Sequence, residues 1–176
     1  MHMLDLGNNS ISAGAKNVEI NLSEDDQEDL VTLEIKDDGK GMSEETLRKA
    51  KDPFYSSKDR GKKIGLGIPF IKELSELCNG EFKITSEVGK GTILKATFQK
   101  TNWDLPPDGD LGSAISGLIA ADPKINYRFC YKINKNELKF DSIDIVKELG
   151  SVPLNSPEVL EWIKDYLNQE IAEARK

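Results

Sequence analysis

At 176 residues the chain suits one medium domain or one domain with a small appendage. A chain of that length buries roughly 70% of its unfolded surface, so neither disulfides nor a structural metal is needed for folding. Its 38% hydrophobic and 31% charged residues read as soluble and globular, and a net charge of -7 argues against a nucleic-acid or anionic-membrane surface. The cysteines, Cys78 and Cys130, lie far apart among apolar residues without metal-ligand spacing and read as buried reduced thiols. His2 is the sole histidine, which disfavours zinc sites and His-based triads. No stretch is long enough to span a bilayer and no leader-like segment opens the chain, so a cytoplasmic protein without membrane association is expected.

The elements follow from periodicity. Residues 2–14 carry Met3, Leu4, Leu6 and Ile11 at helical spacing, with Gly14 as the stop. Residues 18–22 alternate as a strand, and the acidic run Glu24–Asp29 reads as a solvated hairpin loop before a second strand at 30–36. After the turn Asp37-Asp38-Gly39-Lys40-Gly41-Met42, Ser43 caps a helix through Ala50, with Glu44 and Glu45 in its first turn. Residues 52–66 read as a loop. Pro69 falls in the first turn of a helix that reaches Cys78 and ends at Asn79-Gly80. Strands at 82–87 and 92–98 follow, separated by a Gly-rich turn.

A Pro-, Asp- and Gly-rich break at 101–110 separates this part from the rest. Beyond it come a helical face (Leu111, Ala114, Ile115, Leu118, Ile119), a hairpin at 127–140 and a short helix at 141–150. A final helix opens at Ser156-Pro157 with the stripe Leu160, Ile163, Leu167 and Ile171.

Three segments carry chemistry. Asp5 and Asn9 stand four apart on one helix face, where a carboxylate and an amide oxygen can hold a hydrated magnesium ion and orient a water. The turn after the second strand offers two glycines for close approach to a flat ligand and a carboxylate to accept from an exocyclic amine. The third runs from Pro53-Phe54-Tyr55-Ser56-Ser57-Lys58 to Gly65-Leu66-Gly67 opening a helix, with Gly89-Lys90-Gly91-Thr92 before the last strand. Backbone N–H groups at a glycine-flanked helix start bind anions, and Lys58, Arg60, Lys62 and Lys63 crowd this loop as in a lid over a polyphosphate. Each segment alone has an ordinary structural reading, namely a solvated surface pair, a strand-to-helix turn and a solvated loop.

Taken in order and spacing, the segments of residues 1–100 resemble the N-box, G1-box, F-box, G2-box and G3-like turn of the GHKL (Bergerat-fold, histidine-kinase-like) ATPases. The resemblance implies an α+β fold: a two-layer α/β sandwich with a mixed, mostly antiparallel sheet covered on one face by helices. Its implied cofactors are ATP and Mg2+. By position, Asn9 is similar to the magnesium-binding asparagine and Asp37 to the aspartate that recognises the adenine amine. Gly39 and Gly41 shape that pocket, Gly65, Leu66 and Gly67 resemble the lid facing the phosphates, Lys58 lies in the same lid, and Thr92 matches the threonine near adenine. Two departures stand out. Lys63 replaces the first glycine of the lid pattern, and Asp5 stands where hydrolysing members carry glutamate and histidine kinases asparagine.

The short lid and the segment 53–92 look most like a histidine-kinase catalytic domain. The reading is therefore residues 1–100 as an ATP-binding domain and 101–176 as a C-terminal helical and hairpin extension without an assigned role. The implied function is transfer of the γ-phosphate to a side chain on a partner protein, a phosphoacceptor or regulatory partner, with a homodimer left open. The alternative is a slow ATP-hydrolysing switch with Asp5 as its catalytic base, or a nucleotide-binding regulator without turnover.

Overall fold

The computed structural model describes residues 3–52 and 67–176. The chain order is α1 (Met3–Ser12), β1 (Asn17–Asp25), β2 (Leu30–Asp37), α2 (Glu44–Ala50), α3 (Gly67–Leu77), β3 (Phe82–Glu87) and β4 (Gly91–Gln99). The second part continues with α4 (Leu111–Ala121), β5 (Asn126–Ile133), β6 (Asn136–Asp141), α5 (Ser142–Leu149) and α6 (Pro157–Ala174). All six strands join one mixed sheet in the order β3-β4-β2-β1-β5-β6. The β1–β5 pair is parallel and the other neighbours are antiparallel. The α+β sandwich is thus as expected.

Period-2 alternation builds the core. Val18, Ile20 and Leu22 of β1, Val31, Leu33 and Ile35 of β2, Leu94, Ala96 and Phe98 of β4, and Tyr127, Phe129 and Tyr131 of β5 are all buried on one face. Each buried Val, Ile, Leu or Phe side chain among them contributes about 1.5–3 kcal/mol by leaving water. The other face carries Lys36, Lys83, Lys95, Arg128 and Lys139, all exposed. Cys130 sits on that face and is only half-buried, so the expectation of a buried thiol holds for Cys78 alone.

Caps fix the helix ends. Ser43 Oγ accepts Thr46 N–H at 3.2 Å to start α2, and Asp110 Oδ1 accepts Ser113 N–H at 2.7 Å to start α4. Gly14 follows α1 with φ +70, and Asn79 at φ 53 turns the chain out of α3.

Residues beyond the break extend the same layers. Eight residues of β5, Asn126 to Ile133, pair in parallel with Asn17–Glu24 of β1. Helix α4 packs on α1, where a side chain at Gly7 would meet the Leu118 methyl carbons at 2.6 Å. Helix α6 packs in turn on α4, with Gly112 against the Lys164 carbonyl. Among the described residues no helix is long and apolar enough to cross a membrane.

The acidic run is not wholly solvated. Strand β1 continues through Glu24, whose position keeps the parity of Val18, Ile20 and Leu22 and is buried at 7% exposure. Glu24 Oε1 accepts from Tyr131 Oη at 2.6 Å and from Arg175 Nη2 at 2.9 Å, and Lys100 Nζ lies 2.8 Å from Oε2. Arg175 also pairs with Asp108, and Lys100 with Asp26. Burial alone would push the Glu24 carboxyl up, but the bonds from Lys100, Tyr131 and Arg175 outweigh it and hold it below the ordinary range.

Candidate nucleotide-binding site

A cavity of about 510 Å³ opens between α1, α2, the start of α3 and the ends of β2 and β4. That is within the usual range for a small-molecule site. Leu6, Ile35, Met42, Ile68, Ile84 and Leu94 make its walls apolar, and Asp37 and Thr92 give it a polar end. Asp37 closes the buried face of β2, directly opposite Thr92 of β4. Its Oδ1 accepts Gly39 N–H and its Oδ2 accepts Ser10 Oγ–H, each at 2.9 Å. Thr92 Oγ1 lies 2.9 Å from Ser86 Oγ, which also accepts Met42 N–H at 2.9 Å.

The turn after β2 is shaped by its glycines. A Cβ on Gly39 would stand 2.7 Å from the Ala13 Cβ. Gly41 has φ +64, and a Cβ there would lie 1.9 Å from the Glu87 carbonyl oxygen. Lys40, between them, is tied by backbone bonds to Ala13 O and from Gly89 N, at 2.9 and 2.8 Å. Asp38 faces the other way and anchors the start of β1, accepting Lys16 N–H, Asn17 N–H and the Asn17 amide at 2.7, 2.9 and 2.7 Å. Burial pushes its carboxyl up, but the bonds from Asn17 and Lys16 outweigh this and lower it.

Helix α1 forms one wall. Asn9 lines the cavity while Asn8 is exposed. Asp5, one turn earlier, lies against the start of α3: a Cβ built on Gly67 would be 3.5 Å from the Asp5 Cβ and 3.3 Å from Leu6. Among the described residues Asp5 is not part of the cavity lining. Among the described residues no group of three or more His, Cys, Asp or Glu side chains is placed to hold a metal ion.

The family model for histidine kinase-, DNA gyrase B- and HSP90-like ATPases matches residues 3–102, more than half of the 176. The chain belongs to this family. Among its relatives in Bacillus subtilis (strain 168), it is 34% identical over 90 residues to Sporulation kinase C, covering 51% of this chain and 21% of that protein. To Sensor histidine kinase YvrG it is 33% identical over 95 residues, 52% of this chain and 16% of that protein. To Sporulation kinase E it is 39% identical over 71 residues, 40% of this chain and 9% of that protein. These matches span about a fifth or less of the relatives' own length.

Within this ATPase family the residues picked out by sequence fall into three groups. The cavity brings together Asn9, Asp37, Gly41 and Thr92, with Gly39 packed behind Asp37. Gly67 and Asp5 meet at the α3 start. Lys58, Gly65 and Leu66 lie outside the described residues, as do Arg60, Lys62, Lys63 and His2. Ser10 and Ser86, which hold the polar end, were not singled out by the sequence. For Ser10 the signal was present, since it shares the buried α1 face of Met3 and Leu6. Ser86 is a serine in a strand pattern and carries none.

Proposed function

We propose that this chain binds Mg-ATP in the cavity and presents the γ-phosphate for transfer to a side chain of a partner protein. One observation carries the nucleotide reading: a largely apolar cavity ends in a buried carboxylate whose two oxygens already accept protein donors. Such an end takes a flat, amine-bearing ring better than a carbonyl-bearing one. In this reading Asp37 accepts from the adenine amine, Thr92 lies beside it, and Gly39 and Gly41 let the backbone come close. Asn9, which lines the cavity, would offer its side-chain oxygen to magnesium. A metal held there would supply charge neutralisation to the phosphates. Gly67 stands at a helix start suited to anions. Lys58, Gly65 and Leu66 take their lid roles from the sequence resemblance alone.

The kinase side of the reading is supported by the relatives, two sporulation kinases and a sensor histidine kinase, and the acceptor side chain would lie on another protein. A hydrolysing switch is the second reading, favoured by the position of Asp5, a carboxylate one turn from Asn9 and against Gly67. In either case residues 1–100 form the nucleotide-binding unit, and 101–176 complete its sheet and brace α1. The test is ATP titration by calorimetry with and without magnesium, followed by phosphate release in wild type and Asp5→Asn. Absence of ATP binding would overturn the whole reading. Release that disappears in Asp5→Asn favours the switch, whereas binding without release favours transfer to a partner.

A further inference from the structure

Ser86, Thr92 and Asp37 stand abreast on β3, β4 and β2, as directly paired residues in one row across the sheet. Ser86 Oγ lies 2.9 Å from the Gly91 carbonyl, to which it can only donate. It also accepts Met42 N–H at 2.9 Å and lies 2.9 Å from Thr92 Oγ1. A hydroxyl has one proton and two acceptor lone pairs. With its proton on Gly91, Ser86 fills both lone pairs from Met42 N–H and Thr92 O–H. The Thr92 proton is then turned away from the cavity, and its oxygen offers only lone pairs there. Across the row, Ser10, 2% exposed, donates to Asp37 Oδ2, and Gly39 N–H donates to Oδ1. A carboxylate offers only acceptors in any case, so these two donors fix the plane in which its oxygens face the cavity.

We propose that Ser86 sets the hydrogen-bond polarity of Thr92 and Ser10 the orientation of the Asp37 carboxylate, so that the base end presents only acceptors and selects a purine with an amine at C6 over one with a carbonyl. The inference rests on the nucleotide reading above and names what gives that site its base preference. A C6 carbonyl would place acceptor against acceptor in a buried setting, which costs the full desolvation of unpaired groups. Ser86 does not line the cavity and acts through Thr92, so it is a positioning residue. Ser10 lines the cavity, and its hydroxyl acts through Asp37.

The experiment compares the Kd of ATP and inosine triphosphate, which differ at C6, in wild type, Ser86→Ala, Ser86→Thr and Ser10→Ala. Wild type prefers ATP. In Ser86→Ala the freed Thr92 proton can serve a carbonyl, and the preference narrows by about tenfold, the size of one net hydrogen bond. Ser86→Thr keeps the hydroxyl and the wild-type ratio. Ser10→Ala loses the donor that holds the carboxylate plane and weakens ATP more than inosine triphosphate. Equal weakening of both nucleotides, leaving the ratio unchanged in Ser86→Ala and Ser10→Ala, overturns the inference in favour of mere packing. Should melting curves show that Ser86→Ala is unfolded, Ser10→Ala decides alone. Asp37→Asn separates the two levels: unchanged ATP affinity there overturns adenine recognition itself, whereas weakened affinity with unmoved ratios in the serine variants overturns only the role of the serines.

Discussion

Replacing Asp37 by asparagine changes one atom at the polar end of the cavity and leaves its volume intact. The carboxylate accepts Gly39 N–H at Oδ1 and Ser10 Oγ–H at Oδ2, and in the proposed complex one oxygen also accepts the adenine amine. An amide has one acceptor oxygen and one donor nitrogen, so three donors can no longer all be met. The Gly39 N–H is fixed by the tight turn, where a Cβ would already touch Ala13, and cannot turn aside. The amide oxygen therefore stays on Gly39, and the new NH2 faces Ser10, the base, or both. Ser10 can rotate its proton toward its own helix backbone, but the base amine cannot. The expected loss is one hydrogen bond to a charged acceptor, about 1.5–3 kcal/mol, or roughly 10- to 150-fold in Kd. Calorimetric titration with ATP reads it directly, with a melting curve as the control for folding. Unchanged affinity in folded Asp37→Asn would refute the assignment of Asp37 to the base.

Three further outcomes are expected. Asn9→Ala removes the one side-chain oxygen assigned to magnesium, so ATP affinity in the variant should no longer depend on the metal; persistence of the dependence by calorimetry means that Asn9 is not a ligand. Gly41→Ala forces a side chain onto φ +64 and onto the Glu87 carbonyl 1.9 Å away, so a cost of about 1–3 kcal/mol and loss of ATP binding are expected, and a wild-type melting temperature would contradict the turn geometry. Glu24→Gln removes the charge shared by Lys100 and Arg175; their side chains are 27% and 40% exposed, so the expected cost is well below that of a fully buried pair, about 1–3 kcal/mol, a fall in Tm of roughly 2–12 °C. Because the Glu24 carboxyl is held below its ordinary value, its contribution is complete above that value and is lost as pH falls through the depressed one. Asp108, raised by burial and by the Glu24 charge, runs the opposite way and gains on acidification. Acid titration of stability should therefore be shallower in Glu24→Gln, and an identical profile would remove Glu24 from the linkage.

Much of the first part was legible because its signals are local. Ser43 followed by Glu44 and Glu45 announces a helix, and the Ser43–Thr46 cap is where that pattern puts it. Alternation from Val18 to Leu22 and from Val31 to Ile35 gives two strands, with Asp37 in parity with the second buried stripe. The same rule, carried two residues further along β1, would have placed Glu24 inside. The acidic company of Asp25, Asp26 and Glu28 hid it, and its partners Tyr131 and Arg175 are 107 and 151 residues away in the chain. The polar end of the cavity was half legible for a similar reason. Asp37 and its glycines sit within one pentapeptide, whereas Ser10 and Ser86 act on it from 27 residues before and from across two strands.

The place of residues 101–176 depends on contacts that periodicity does not encode. A parallel β1–β5 pair needs a crossover, and here α4 supplies it. The crossover helix lands on α1 because small residues let it: Gly7 admits Leu118, and Gly117 lies 3.3 Å from the Leu4 side chain when given a Cβ. The same helix that carries Asn9 and Ser10 into the cavity is thus gripped from behind by α4, which α6 covers in turn. The far end of that brace is tied down by Arg175, bonded to Glu24 and Tyr131 on neighbouring strands. Hence the extension is a second layer of support for α1, and substitutions that loosen α4 from Gly7 act on the same side chains as substitutions in the site.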